Sequence, residues 1–258
     1  MGHVELGLGL LSIAKRWGVA EVEPPPEAVA IEVVERAWAL GIRFFDTAPS
    51  YGDSEVRFAR ALASGTIDRE GITIATKMGE HWDAATGALT VDHGRTALIA
   101  SLERSLARLG RIDLLQIHKA TPENVVSADV FAALDRAAEL GVAAFGASVS
   151  DLETARAACH SGRYAYLQFP FNDGSRHLGP VFGLLRDHGM KAIVNRTSAM
   201  GRAVTGDGAG RGAAAFATVL GEDFDGVVLT GTSSPVQRAE NVAAFAQAKN
   251  STLPLSRS

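Results

Sequence analysis

Gly41-Ile42-Arg43-Phe44-Phe45-Asp46-Thr47-Ala48-Pro49-Ser50-Tyr51-Gly52 carries three signals in one short stretch. Gly41 follows a helical stripe of Ile31, Val34 and Trp38. Glycine just past such a stripe is the expected stop, because it takes φ > 0 without penalty. Ile42–Asp46 is then a short apolar run, as a strand buried on both faces should be. It ends in one ionisable side chain, Asp46, and a second, Tyr51, follows in the next loop.

The same grammar repeats on both sides. Val4–Leu10, Thr73–Lys77, Leu114–His118, Ala143–Ser148, Tyr166–Phe169, Lys191–Arg196 and Gly226–Thr230 read as seven further strands. Helical stripes fill the gaps: Leu98, Leu102, Leu106 and Leu109 stop at Gly110, Val130 to Leu140 stops at Gly141, and Leu178 to His188 stops at Gly189. Eight strands alternating with helices, with no linker, predict an α/β protein. The expected fold is a closed (β/α)8 TIM barrel, one domain over residues 1–258, rather than a doubly wound sheet. Gly7-x-Gly9 is not completed by a third glycine, so the dinucleotide fingerprint of the open sheet is missing. Two segments break the rhythm. Gly201–Gly212, rich in glycine, is expected to be a mobile loop, and Glu80–Thr90, which contains Trp82, a polar loop after a strand.

Composition narrows the class. The chain has 258 residues, 47% hydrophobic and 21% charged, enough for a sizeable core. A formal charge of -4 offers no basic surplus for gripping nucleic acid. No apolar run reaches the roughly 18 residues of a membrane span, and no basic-then-apolar leader opens the chain, so a cytoplasmic location is expected. Cys159 is the single cysteine, which excludes internal disulfides and a thiolate zinc site. It reads as a small apolar residue on a helix. No metal is expected, and a monomer or weak oligomer is.

Barrel enzymes work at the C-terminal ends of their strands. Asp46, Lys77 and His118 end three successive apolar runs, and Tyr51 stands in the loop beside them. Each alone has an ordinary reading: a capping Asp, a surface Tyr, a solvated Lys, a structural His. Their coincidence at matching positions is the signal. A tyrosine titrates near 10, and a neighbouring lysine cation favours the phenolate and eases proton donation. Asp46 would keep Lys77 charged, and His118 would orient a substrate oxygen. Together they suit protonation of a carbonyl oxygen as hydride reaches the carbon. No side chain supplies hydride, so a nicotinamide cofactor is implied. An imine-forming Lys77 would leave Tyr51 and His118 unexplained.

The stretch Gly41 to Gly52, followed by Ser54-Glu55, resembles the signature of the aldo/keto reductase family. Ile74-Ala75-Thr76-Lys77 is similar to its lysine motif and Ile112 to His118 to its histidine motif. Gly146-Ala147-Ser148, Gln168 to Asn172, and Gly231-Thr232 through Glu240-Asn241 are similar to later segments. The resemblance covers nearly the whole chain. It implies a (β/α)8 barrel and NADPH-dependent reduction of an aldehyde or ketone, or the reverse oxidation of an alcohol. It makes Tyr51 the general acid, Lys77 and Asp46 its tuning pair and His118 the orienting residue. Ser148 and Gln168 match positions that hold the nicotinamide carboxamide, and Asn241 an adenine contact. Arg196, Thr197, Gly231, Ser233, Gln237 and Arg238 complete the implied cofactor set.

Five departures stand out. Val149 replaces an Asn, which removes one carboxamide hydrogen bond. Arg196 replaces an aromatic that stacks on the nicotinamide, a role a guanidinium plane can take. Ser233 and Ser234 replace basic residues at the 2′-phosphate, leaving Arg238 as the charge; NADP(H) is favoured, with NAD(H) also accepted. The N-terminal hairpin of the family is absent, and a short Gly201–Gly226 segment implies a reduced clasp over the cofactor. These departures motivate a rival, a non-catalytic nicotinamide-binding sensor or scaffold on the same barrel. Trp17, Trp82 and Phe171 are candidates to line an apolar pocket, although packing is the more ordinary role for each.

Overall fold

The computed structural model describes residues 2–16, 22–197 and 208–252. In chain order the strands are β1 (Val4–Gly9), β2 (Phe44–Asp46), β3 (Thr73–Met78), β4 (Glu80–Trp82), β5 (Leu89–Val91), β6 (Leu114–Ile117), β7 (Ala144–Ser148), β8 (Tyr166–Pro170), β9 (Lys191–Asn195) and β10 (Gly226–Thr230). Eight of them close a parallel barrel in the order β1-β10-β9-β8-β7-β6-β3-β2. The helices are α1 (Glu27–Ala39), α2 (Ser54–Ala63), α3 (Arg95–Leu109), α4 (Ala128–Glu139), α5 (Leu152–Ser161), α6 (Pro180–Asp187), α7 (Gly208–Leu220) and α8 (Pro235–Thr252).

The barrel strands match the apolar runs because a parallel strand covered by helices is dry on both faces. Leu8, Phe45, Ile74, Leu115 and Leu167 are fully buried, and each such side chain contributes about 1.5–3 kcal/mol by leaving water. Phe45 on β2 stacks on Phe58 of α2 at 5.2 Å between centroids, which seats that helix on its strand. The expected stop after α3 is present: Gly110 caps it in the left-handed region at φ 75°.

Four readings change. The stripe Ile31, Val34 and Trp38 predicted for α1 shares only Val34 with its buried face, which is Ala30, Val33, Val34 and Ala37. Small residues let the helix lie close to the sheet, while Ile31 and Trp38 pack at its margins. Glu80–Thr90 is not an irregular loop, since β4 and β5 pair antiparallel, Glu80 opposite Val91. Of Gly201–Gly212, residues 201–207 lie outside the described residues, and Gly208 onward is the first turn of α7 rather than loop. Strands β6 and β9 end one residue early, so His118 and Arg196 stand just beyond them.

Cys159 is buried on α5, and burial pushes its thiol up to about 11, which makes it inert. No helix among the described residues is long and apolar enough to cross a membrane.

Candidate active site

The C-terminal ends of the barrel strands surround a cavity of about 450 Å³, within the range of small-molecule sites. Asp46, Tyr51 and His118 line it, and Lys77 lies beneath them.

Asp46 is buried at the end of β2. Its Oδ2 accepts from Lys77 Nζ at 2.7 Å and from Gln168 Nε2 at 3.3 Å, and its Oδ1 accepts from Gln116 Nε2 at 2.8 Å. Lys77 Nζ also donates to the Thr47 carbonyl at 2.9 Å and lies 4.8 Å from the centre of the Tyr51 ring. Burial pulls the Lys77 pKa down, but Asp46 and Tyr51 outweigh it, and the net direction is up. Lys77 is therefore a buried, permanently charged ammonium.

Tyr51 departs from the sequence expectation. Burial pushes its pKa up, Lys77 opposes through charge and a hydrogen bond, Asp46 pushes up again, and the net direction is upward. Lys77 alone would ease the proton off; burial wins, so Tyr51 is a neutral phenol at physiological pH. A group that must hand over a proton has to carry it first.

His118 lies edge-on to Tyr51, with centroids 5.9 Å apart. Burial and the charges of Lys77, Lys119, His93 and Lys15 hold its pKa well below 6.5. Its Nδ1 lies 3.0 Å from Glu80 Oε2 and 3.3 Å from Ser50 Oγ. A carboxylate only accepts, so the neutral ring carries its hydrogen on Nδ1 and donates it to Glu80. That tautomer leaves the lone pair of Nε2 for the cavity.

Glu80 reaches this place through a tight turn. Gly79 between β3 and β4 has φ 106°, and a Cβ there would meet His93 Nε2 at 2.6 Å. His93 Nε2 in turn bonds the His118 carbonyl at 2.8 Å. The stretch after Asp46 is equally structural. Thr47 Oγ1 bonds Ser54 Oγ at 2.8 Å, Ser54 Oγ donates to the Leu10 carbonyl at 3.1 Å, and buried Glu55 accepts from Thr76 at 2.7 Å. These bonds fix the loop that presents Tyr51.

The other side of the mouth belongs to β7–β10. Ser148, Gln168, Arg196 and Gly231 line the cavity there, together with Val149 and Asn195. Gln168 Oε1 and Asn195 Oδ1 are buried and have no hydrogen-bond partner. Two free acceptors on neighbouring strands fit a primary amide, which donates two hydrogens, so the residues present suit a nicotinamide carboxamide. Asn172 Nδ2 holds the Arg196 carbonyl at 3.0 Å.

Thr197, Ser233, Gln237, Arg238 and Asn241 do not line the cavity. Gln237 Oε1 accepts from Thr232 Oγ1 at 2.8 Å, and Asn241 Nδ2 donates to Thr230 Oγ1 at 2.9 Å, so both serve the β10–α8 junction. Arg238 is fully buried with all three guanidinium nitrogens unpartnered, and burial brings its pKa down to about 9. Phe171 is buried against Phe182, at 5.1 Å, and neither it nor Trp82 lines the cavity. Trp17 lies outside the described residues. No cluster of three metal-ligating side chains occurs among the described residues.

Sequence reasoning missed Glu80, Gln116, Asn195, Ser50, Lys15 and Lys119. Gln116 and Asn195 had a usable signal: each is a polar amide inside or at the end of an otherwise apolar strand.

A model of the aldo/keto reductase family matches residues 5–218. An L-galactose dehydrogenase of Arabidopsis thaliana is 33% identical over 97 residues, 37% of this chain and 29% of that protein. A D-threo-aldose 1-dehydrogenase of a Pseudomonas species is 32% identical over 175 residues, 54% of this chain and 52% of that protein. The matches thus span about half or less of these curated relatives. A solved structure from Pseudomonas aeruginosa, assigned to the aldo-keto reductases, superposes with a TM-score of 0.80 at 28% identity, over 94% of this chain and 90% of that one. The holo form of an aldo-keto reductase from Bacillus halodurans gives a TM-score of 0.80 at 21% identity, over 95% and 90%, a likeness of fold.

Proposed function

This chain belongs to the aldo/keto reductase family, and we propose on that basis that it is an NAD(P)(H)-dependent oxidoreductase interconverting an aldehyde or ketone with its alcohol. The observation that carries the reading is the buried contact chain from Asp46 through Lys77 to Tyr51, at the base of a cavity whose opposite wall holds two free amide acceptors.

A bound reduced nicotinamide would supply the hydride. Gln168 and Asn195 would hold its carboxamide, with Arg196 against the ring and Ser148 and Gly231 beside it. In reduction, Tyr51 Oη delivers its proton to the carbonyl oxygen. The phenolate left behind is stabilised by Lys77, which Asp46 keeps charged and in place. In oxidation the Tyr51 phenolate, stabilised by Lys77, receives the proton of the alcohol. His118, neutral with Nε2 as acceptor, takes a hydrogen bond from the alcohol and so orients it. The entry to α8 offers Ser233, just before the helix, and Gln237, in its first turn, both neutral, while Arg238 is buried. With no exposed cation among these residues to grip a 2′-phosphate, the reading favours acceptance of both NADPH and NADH.

A non-catalytic nucleotide sensor on the same barrel would have no use for the buried Asp46–Lys77 pair beneath the cavity. The test is a side-by-side titration with NADPH and NADH, followed by a panel of aldehydes, ketones and alcohols. Cofactor consumption dependent on a carbonyl is the expected result. Tight binding with no turnover across the panel would transfer the case to the sensor.

A further inference from the structure

We propose that the substrate carries a carboxylate, which Lys15 and Lys119 hold on the His118 side of the cavity; this rests on the oxidoreductase reading and names its substrate class.

The first observation is backbone strain. Among the described residues, Lys119 and Arg196 are the two non-glycine residues with positive φ, at 52° and 56°. Both are basic, both stand just past a barrel strand, and both line the cavity. Left-handed backbone costs a residue with a long side chain free energy, and such costs persist where surrounding structure holds them for a purpose. Lys119 is held: its carbonyl accepts from Asn124 Nδ2 at 3.1 Å, and the next amide, of Ala120, donates to the Ser148 carbonyl at 3.3 Å. Arg196 faces the cofactor wall; Lys119 faces His118.

The second observation is charge. On the His118 side the cavity is lined by Lys15, Arg16, Lys119, Asp46 and Glu80. Arg16 is paired with Glu23, and Asp46 with Lys77. Glu80 serves His118 Nδ1 and lies 3.5 Å from Lys119 Nζ, so it offsets one of the two lysines. Among the described residues one cation remains uncompensated, in a protein whose formal charge is -4. Lys15 is half-buried, and the hydrogen bond its ammonium makes is a long one, 3.4 Å to the Ser50 carbonyl. Both lysines are among the charges that depress His118, which places them around the imidazole.

The third observation is the lack of an apolar alternative. Leu11, Leu89 and Ala120 are the apolar lining on this side among the described residues, with no aromatic ring besides Tyr51 and His118. A monoanion matches the single surplus charge; a phosphate ester, at about two charges, would leave one unmatched.

The experiment compares 4-formylbenzoate with its methyl ester, and 4-oxobutanoate with its methyl ester. In the wild type the acid is expected to exceed the ester in kcat/KM by about ten-fold or more, the scale of one hydrogen bond to a charged group. The difference should sit in KM and shrink as salt is added. Lys119→Met and Lys15→Met, checked by thermal melts, should each lower the acid-to-ester ratio several-fold. Equal or better use of the esters by the wild type, or an unchanged ratio in both variants, would overturn the proposal. Calorimetric titration of the same acids and esters into the cofactor-loaded protein separates the two readings. Acid-selective binding without turnover sinks the oxidoreductase reading alone, and turnover without acid selectivity sinks the carboxylate alone.

Discussion

The mouth of the barrel is built in two ways. On the side of β2, β3 and β6, the carboxylate of Asp46 takes three donors and the ammonium of Lys77 two acceptors, and Gln116 Oε1 is the one buried side-chain atom of this trio left over. Across the mouth, on β8 and β9, Gln168 Oε1 and Asn195 Oδ1 end without a partner. A satisfied network is rigid and fixes pKa values. An unsatisfied one stores free energy that an incoming ligand can recover. On the proposed function, the first side moves a proton and the second receives a molecule.

Cutting the satisfied side should do the most damage. Lys77→Met leaves the Asp46 carboxylate buried without its cation, a loss of about 3–5 kcal/mol in stability. Turnover should also fall by about 10²–10⁴, the share of general acid–base catalysis. Urea melts and steady-state rates check both. A variant with wild-type stability would show that the pair is not coupled as described.

The receiving side should respond in the opposite sense. Asn195→Leu removes an orphan acceptor, so the melting temperature of the free protein should hold or rise. Affinity for the nicotinamide cofactor should weaken by about ten-fold, one lost hydrogen bond. Unchanged affinity by fluorescence titration would remove Asn195 from the cofactor wall.

Glu80→Gln tests how far the order of the satisfied side extends. His118 is neutral until the pH drops well below 6.5, so a rate that needs the neutral ring should fall only there. Removing the anion that supports the protonated ring should move that acid limb lower still, with a change of a few-fold near neutrality. An identical pH–rate profile would mean that Glu80 does not govern His118.

Arg238→Met, which lies outside the cavity, should change turnover least and act on stability instead. The folded state holds this guanidinium below its ordinary value, at about 9. The unfolded chain therefore binds the proton more tightly, and the penalty is fully present at pH 7 and relieved only as pH rises through 9 toward the unfolded value. Replacing the buried cation should stabilise the protein by about 1–4 kcal/mol, read as a rise in melting temperature.

The same contrast explains what was legible in the sequence. The barrel could be read because its strands are apolar on both faces and its helices stop at glycine. Asp46, Lys77 and His118 could be read because they fall at or just beside strand ends, with Tyr51 in the loop after one of them, where topology decides who meets whom. The β4–β5 hairpin could not be: Leu89 and Val91 are exposed, so no apolar pattern marks it. Glu80 was hidden with it, since its link to His118 depends on one turn at Gly79. The sign of the Tyr51 shift was misread for a related reason. Pairing with Lys77 follows from spacing, but how far burial offsets that pairing depends on packing from every side.

The division of labour is tested most directly by Tyr51→Phe, measured twice on the same preparation. Cofactor fluorescence gives affinity, and carbonyl-dependent loss of NAD(P)H absorbance gives turnover. The predicted result is cofactor affinity within about two-fold of wild type, as Tyr51 lies on the proton side, and turnover lower by about 100-fold or more. Wild-type turnover in the variant would contradict the account, as would a loss of turnover explained entirely by lost cofactor binding.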